Sequence, residues 1–175
     1  GLKAQLYDLS GSKVGAEFLL TNVGGAGAHN WPIVVANSDD TFTVIFESRY
    51  EHGGSYDGQY NGVFGQTFDE NFEQKTEIFQ INTKYIRDQE KISASVNEDG
   101  KILVSWQSND QDASNRWDIN AQIIDSHGAK YGNEIAVRNS PDSDVWSTTT
   151  ALSDGSFIVT WIGVGLNGHT PGVYA

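Results

Sequence analysis

The chain has 175 residues, 23 acids against 11 bases for a net charge of −12, 19 Gly, 3 Pro and no Cys. That balance leaves none of the clustered Lys and Arg that nucleic acid or an anionic membrane surface would require, and the lack of Cys excludes disulfides, thiolate metal sites and Cys nucleophiles. Hydrophobic residues make up 38%, below the roughly 45–50% of ordinary globular domains, and no apolar run approaches the ~20 residues that span a bilayer, so many short strands over thin cores are expected and membrane insertion is not.

In chain order, the first strand is expected over residues 1–8 and the second over about 16–21. The turn Leu9-Ser10-Gly11-Ser12 joins them. A third strand lies near 32–37. The fourth covers 42–48, where Phe42, Val44 and Phe46 alternate to one side, the period of a half-buried strand. The same order then recurs. Residues 62–83 and 118–139 align with 1–22 without gaps: Gln5, Gln66 and Gln122 share a column, as do Asp8, Asp69 and Asp125, and the small residues Ala4, Gly65 and Ala121. Residues 96–108 and 151–163 repeat 36–48, matching Asp39, Asp99 and Asp154, and Phe46, Trp106 and Trp161. Trp31 and Trp146 also correspond, with Lys91 between them. Asp99-Gly100 and Asp154-Gly155 precede the fourth strand in the later copies, and Asp-Gly is a strong hairpin signal because Gly accepts positive φ. Asp40 stands where that Gly would be in the first copy.

The repeats therefore run 1–61, 62–117 and 118–171, and residues 172–175 copy 1–4 and are expected to start a fourth. The fold class expected is all-β: tandem four-stranded antiparallel repeats, either propeller-blade-like or a stacked β-sheet array. Three such units stack openly, continue into further repeats, or are completed by another chain. The linkers 49–61, 109–117 and 164–171 differ in length while the strands do not, which places insertions on one face of the array, where repeat proteins bind partners.

The chemistry of individual residues points away from catalysis. His29, His52, His127 and His169 occupy no repeated column, and neither an H-E-x-x-H nor a G-x-S-x-G arrangement occurs. The acidic clusters around Asp110 and Asp112, and around Asp142 and Asp144, read as solvated loops, with Ca2+ as the cation their oxygens would suit. The recurrent aspartates, Asp39, Asp99 and Asp154 among them, read as turn residues whose side chains accept from backbone amides two positions on. Gln5, Gln66 and Gln122 read as bonding exposed backbone between repeats. The repeated tryptophans, Trp31 and Trp146 as well as Trp106 and Trp161, read as packing. Tyr50, Tyr56, Tyr60 and Trp117, on or beside the linkers, are the candidates for stacking on a sugar face.

Residues 151–161, ALSDGSFIVTW, and 106–114, WQSNDQDAS, resemble repeats of the type VAxLxDGGFVVxWxSxxQDGS found in large secreted bacterial proteins of the RTX and cadherin-like adhesin kind and in some ciliate surface proteins. Residues 172–175 and 11–18 fit the same pattern, so the resemblance covers nearly the whole chain. It implies an extracellular or cell-surface location and an adhesive or calcium-associated setting. The first and third copies lack the QDGS loop. On these grounds the expected function is a non-enzymatic structural segment that builds a rod or filament through contacts with itself. The alternative is a lectin-like propeller module, completed by oligomerisation, that binds glycans.

Overall fold

The structure, a computed structural model, describes residues 1–21, 29–48, 60–84, 87–109, 116–138, 143–164 and 172–175. Within them the chain is all-β. The strands are β1 (Leu2–Tyr7), β2 (Lys13–Thr21), β3 (His29–Ala36), β4 (Phe42–Ser48), β5 (Gly62–Phe68), β6 (Phe79–Gln80), β7 (Gln89–Val96), β8 (Ile102–Asn109), β9 (Trp117–Ile124), β10 (Lys130–Arg138), β11 (Ser143–Ala151), β12 (Phe157–Val164) and β13 (Gly172–Tyr174). Each of the four strands expected in the first repeat forms. They form for the expected reason: apolar alternation carries each strand, and a residue that tolerates positive φ closes the hairpin. Gly11, Gly100, Gly128 and Gly155 all lie at positive φ, and Asp40 takes the same conformation at 58°.

The strands pair antiparallel into a β1–β2 hairpin, sheet one (β3-β4-β5-β6), sheet two (β7-β8-β9-β10) and sheet three (β11-β12-β13). Sheets and sequence repeats are out of phase. Sheet one joins the last two strands of the first repeat to the first two of the second, through the seven-residue strands β4 and β5 paired along their whole length from Phe42↔Phe68 to Ser48↔Gly62. Sheet two does the same one repeat later.

The sheets pack face to face. The first strand of each lies against the sheet before it: β7 on β3, β4 and β5, and β11 on β7, β8 and β9. This gives the central strands two covered faces. Val44 and Phe46 of β4 meet Leu2 and Leu20 of the hairpin, while Ile45, on the opposite face, packs with Ile92, Val104 and Trp106 of sheet two. Residues Thr43–Ser48 and Ile102–Ser108 are buried throughout, so alternation in β4 and β8 separates two interfaces rather than core from solvent. The two sheet boundaries differ in chemistry. Between sheets one and two the contact is an apolar cluster. Between sheets two and three it is largely hydrogen-bonded: Ser105 Oγ to Ser147 Oγ at 2.9 Å, the Thr149 amide to Ser93 Oγ at 3.0 Å, and Asn97 Nδ2 to the Gly155 carbonyl at 2.9 Å.

Candidate active site at the converging strand edge

The repeated aspartates are turn residues. One carboxylate oxygen of Asp8 accepts from the Ser10 and Ser12 amides, that of Asp69 from Asn71 and Glu73, and that of Asp125 from His127 and Ala129, all at 2.9–3.0 Å. Asp39 and Asp154 hold the amide and hydroxyl of Thr41 and Ser156 in the same way. In the second copy the work passes from Asp99 to Asn97, whose Oδ1 accepts from the Lys101 amide at 2.9 Å. The glutamine column is structural too, but it acts within a hairpin rather than between repeats. Gln5 Nε2 donates to carbonyls of Leu6, Val14 and Gly15, and Gln122 Nε2 to those of Ile123, Tyr131 and Gly132. Both sit where the register shifts, so the amide takes up carbonyls that the bulge frees. Gln66 donates to the Thr76 carbonyl. Trp106 is fully buried and Trp161 stacks with Tyr174, with ring centroids 6.1 Å apart.

Of the cation candidates, Asp110, Asp112 and Asp142 lie outside the described residues, as do the sugar candidates Tyr50 and Tyr56. Asp144 is 3% exposed and faces Arg138 Nε at 3.6 Å. Among the described residues no group of three or more His, Asp and Glu could hold a metal ion. Tyr60 is exposed, and Trp117 is half-buried with its amide 3.4 Å from Ser143 Oγ.

A different set of residues converges where β3, β7 and β11 begin. Each of these strands carries a bulge at the same column, between Asn30 and Ile33, Glu90 and Ser93, and Val145 and Thr148. In each the bulged residue lies at positive φ: Trp31 at 50°, Lys91 at 54° and Trp146 at 53°. This conformation costs an L-residue about 1–2 kcal/mol, and backbone strain of this kind gathers at functional sites. The bulge also turns the side chains outward. Trp31 is 56% exposed and Trp146 60%, so neither indole is buried between repeats, contrary to expectation. The Lys91 ammonium sits 3.5 Å from the centre of the Trp31 ring, a cation–π contact across the first sheet boundary.

Carboxyl groups surround this edge. Asp88, just before β7, accepts the Asn61 amide at 2.9 Å, and Glu90, two residues on, accepts Asn61 Nδ2 at 3.3 Å. One asparagine thus anchors two half-buried carboxylates. Behind them Glu47 of β4 is 2% exposed and accepts the backbone amide of Lys91. Burial is the main cause that pushes the Glu47 carboxyl up to about 7; the negative charge of Glu90 adds to the rise, and the Lys91 and Ile92 amides and the Lys91 ammonium oppose it. Sequence inspection alone misses this group. Its trace was the run Asp88-Gln89-Glu90-Lys91, two acids at the spacing that shares a strand face, at the start of a third strand not recognised as an edge where sheets converge.

The class these features define is an antiparallel, propeller-like array of sheets. No protein-family model matches the chain, and no curated protein matches it. Among solved structures it is similar to the endo-arabinase from Bacteroides thetaiotaomicron VPI-5482, with a TM-score of 0.54, 11% identity, and coverage of 95% of this chain and 62% of that one. It is also similar to a thermostable family-43 glycoside hydrolase, with a TM-score of 0.50, 14% identity, and coverage of 91% of this chain and 60% of that one. The chain thus spans about three fifths of the length of these structures. The likeness is one of fold. It corrects the expectation of a non-enzymatic rod or filament segment, and with it the lectin-like alternative. The sheets pack one upon the next, and the fold they build is similar to that of these two solved structures.

Proposed function

We propose that the chain forms the larger part of a carbohydrate-processing propeller, a glycoside hydrolase whose substrate lies across the starts of β3, β7 and β11. The observation that carries this reading is the pair Asp88 and Glu90, held by one asparagine beside two tryptophans that strained backbone keeps in solvent. Glycosidic bond cleavage requires two carboxyl groups flanking the bond, one to protonate the leaving oxygen and one to activate water or attack the sugar. Asp88 and Glu90 supply them. The exposed indole of Trp146 offers the flat apolar surface on which a pyranose or furanose ring stacks, and Trp31, one face of which carries Lys91, lies along the same edge. Asn61 keeps both carboxylates oriented and Glu47, out of contact with substrate, backs the strand that carries them. The likeness of the fold to an endo-arabinase and a family-43 hydrolase supports the same reading.

The test is release of reducing sugar from arabinan, xylan and a panel of aryl glycosides by the purified chain. Glu90→Gln and Asp88→Asn should each lower kcat at least ~100-fold, in the range set by loss of a general acid or base, with an unchanged far-UV circular dichroism spectrum. Trp146→Gly, placed where φ already suits glycine, should raise KM several-fold more than it lowers kcat. A folded protein that cleaves none of these substrates, or carboxyl variants as active as the parent, would sink the reading.

A further inference from the structure

The bulges at the strand starts do more than turn side chains outward. A bulge releases one backbone amide from its own ladder, and the released amide points at the preceding sheet. At the first boundary the Lys91 amide is taken by Glu47 of β4. At the second, one repeat on, the Trp146 amide is taken by Gln107 of β8 at 3.3 Å. Glu47 and Gln107 occupy the same repeat column, directly after Phe46 and Trp106. Both are buried, at 2% and 5% exposed. The two boundaries therefore share one fastening, made once with a carboxyl group and once with its uncharged isostere.

We propose that the boundary between sheets one and two is a proton-operated latch, closed when the Glu47 side chain is neutral like Gln107 and loosened when it ionises, whereas the boundary between sheets two and three keeps the same fastening in a form that does not titrate. The physical reason is the cost of an ionised carboxylate beside the apolar cluster of Ile45, Ile92 and Trp106, a cost not recovered unless the charge is fully paired. Charged neighbours are few. Among the described residues Glu90 and Lys91, both on β7, face Glu47. Strands β4, β5 and β8 carry no other charged residue, and the sole titratable residue of β3, His29, pairs in register with Ser48 rather than Glu47. The folded protein binds the Glu47 proton more tightly than the unfolded chain does, since its carboxyl is raised from 4.5 to about 7. The contribution to stability is therefore full below about pH 4.5 and is lost as pH rises through about 7. The latch does not depend on the sugar-cleaving reading and is tested without a substrate.

The experiment is backbone amide hydrogen exchange and thermal unfolding of the whole chain between pH 5.5 and 8.5. After correction for the intrinsic pH dependence of exchange, protection of the Lys91 amide should fall about tenfold between pH 6 and 8, the change expected of a group that titrates near 7, while protection of the Trp146 amide stays level. Glu47→Gln should abolish the fall at Lys91 and the accompanying drop in Tm. Gln107→Glu should create a matching fall at Trp146. Because Gln107→Glu tests the second boundary on its own, the proposal stays decidable if Glu47→Gln folds poorly. Level protection at Lys91 in the parent, a fall that persists in Glu47→Gln, or no new pH dependence in Gln107→Glu would each overturn it.

Discussion

A single carboxylate oxygen that accepts two amides closes each of the hairpins at Asp8, Asp69 and Asp125. The third corner of these turns is a residue at positive φ: Gly11, Phe72 or Gly128. Gly128 is the most constrained of the three. Its φ is 80°, and a Cβ added there would sit 2.5 Å from Cγ of Phe79 in the neighbouring sheet. The ring cannot withdraw, because its other edge lies over Gly65, where a Cβ would also meet it at 2.5 Å. Gly128→Ala should therefore destabilise the protein by about 2–4 kcal/mol, as overpacking adds to backbone strain. Urea unfolding measures this, and a loss under ~1 kcal/mol would mean that the Phe79 ring gives way to the added methyl. Much of this residue scale was legible in the sequence. The aspartate columns and Asp-Gly pairs marked the turns, whereas the column of Ala4, Gly65 and Ala121 was visible only as small residues, with nothing to announce the Phe79 ring over Gly65. The exposure of Trp31 and Trp146 was not legible, because repetition of a large aromatic reads as packing and nothing local announces a bulge at Trp or Lys.

At the scale of strands, the alternation in β4 and β8 was read correctly as period two, yet its meaning changed once both faces were covered. The polar half of β8, Ser105 and Gln107, looked like a solvent face and is instead the interface with sheet three. Its serine pair sits wholly inside that interface, and an isolated buried hydroxyl is more costly than a missing pair. Ser105→Ala alone should cost about 1–3 kcal/mol by stranding Ser147, whereas adding Ser147→Ala should restore most of that loss. A double-mutant cycle in chemical denaturation checks it. Strictly additive losses would show that the two hydroxyls are not coupled. The Asp88–Glu90 pair was hidden for a related reason: two acids at the start of a strand look like ordinary solvated residues until the neighbouring strand brings Asn61 across to hold both.

For the whole molecule, the four-strand unit and its propeller-like or stacked packing were legible, and the phase of the sheets against the repeats was not. Sequence similarity identifies what was copied, and hydrogen bonding decides what folds together. The two differ here by half a unit, since β4 and β5 belong to different copies and to one sheet. That displacement has a consequence for cut chains. Severing the polypeptide between β4 and β5 separates the first copy from the rest, but the two pieces retain a full complementary ladder, seven residues on each side. Polypeptides that end after β4 and begin at β5 should therefore find each other when co-expressed and purify as one complex. Each copy ends in a strand whose hydrogen-bonding partner is the first strand of the next, so neighbouring copies clasp one another without needing the peptide bond between them.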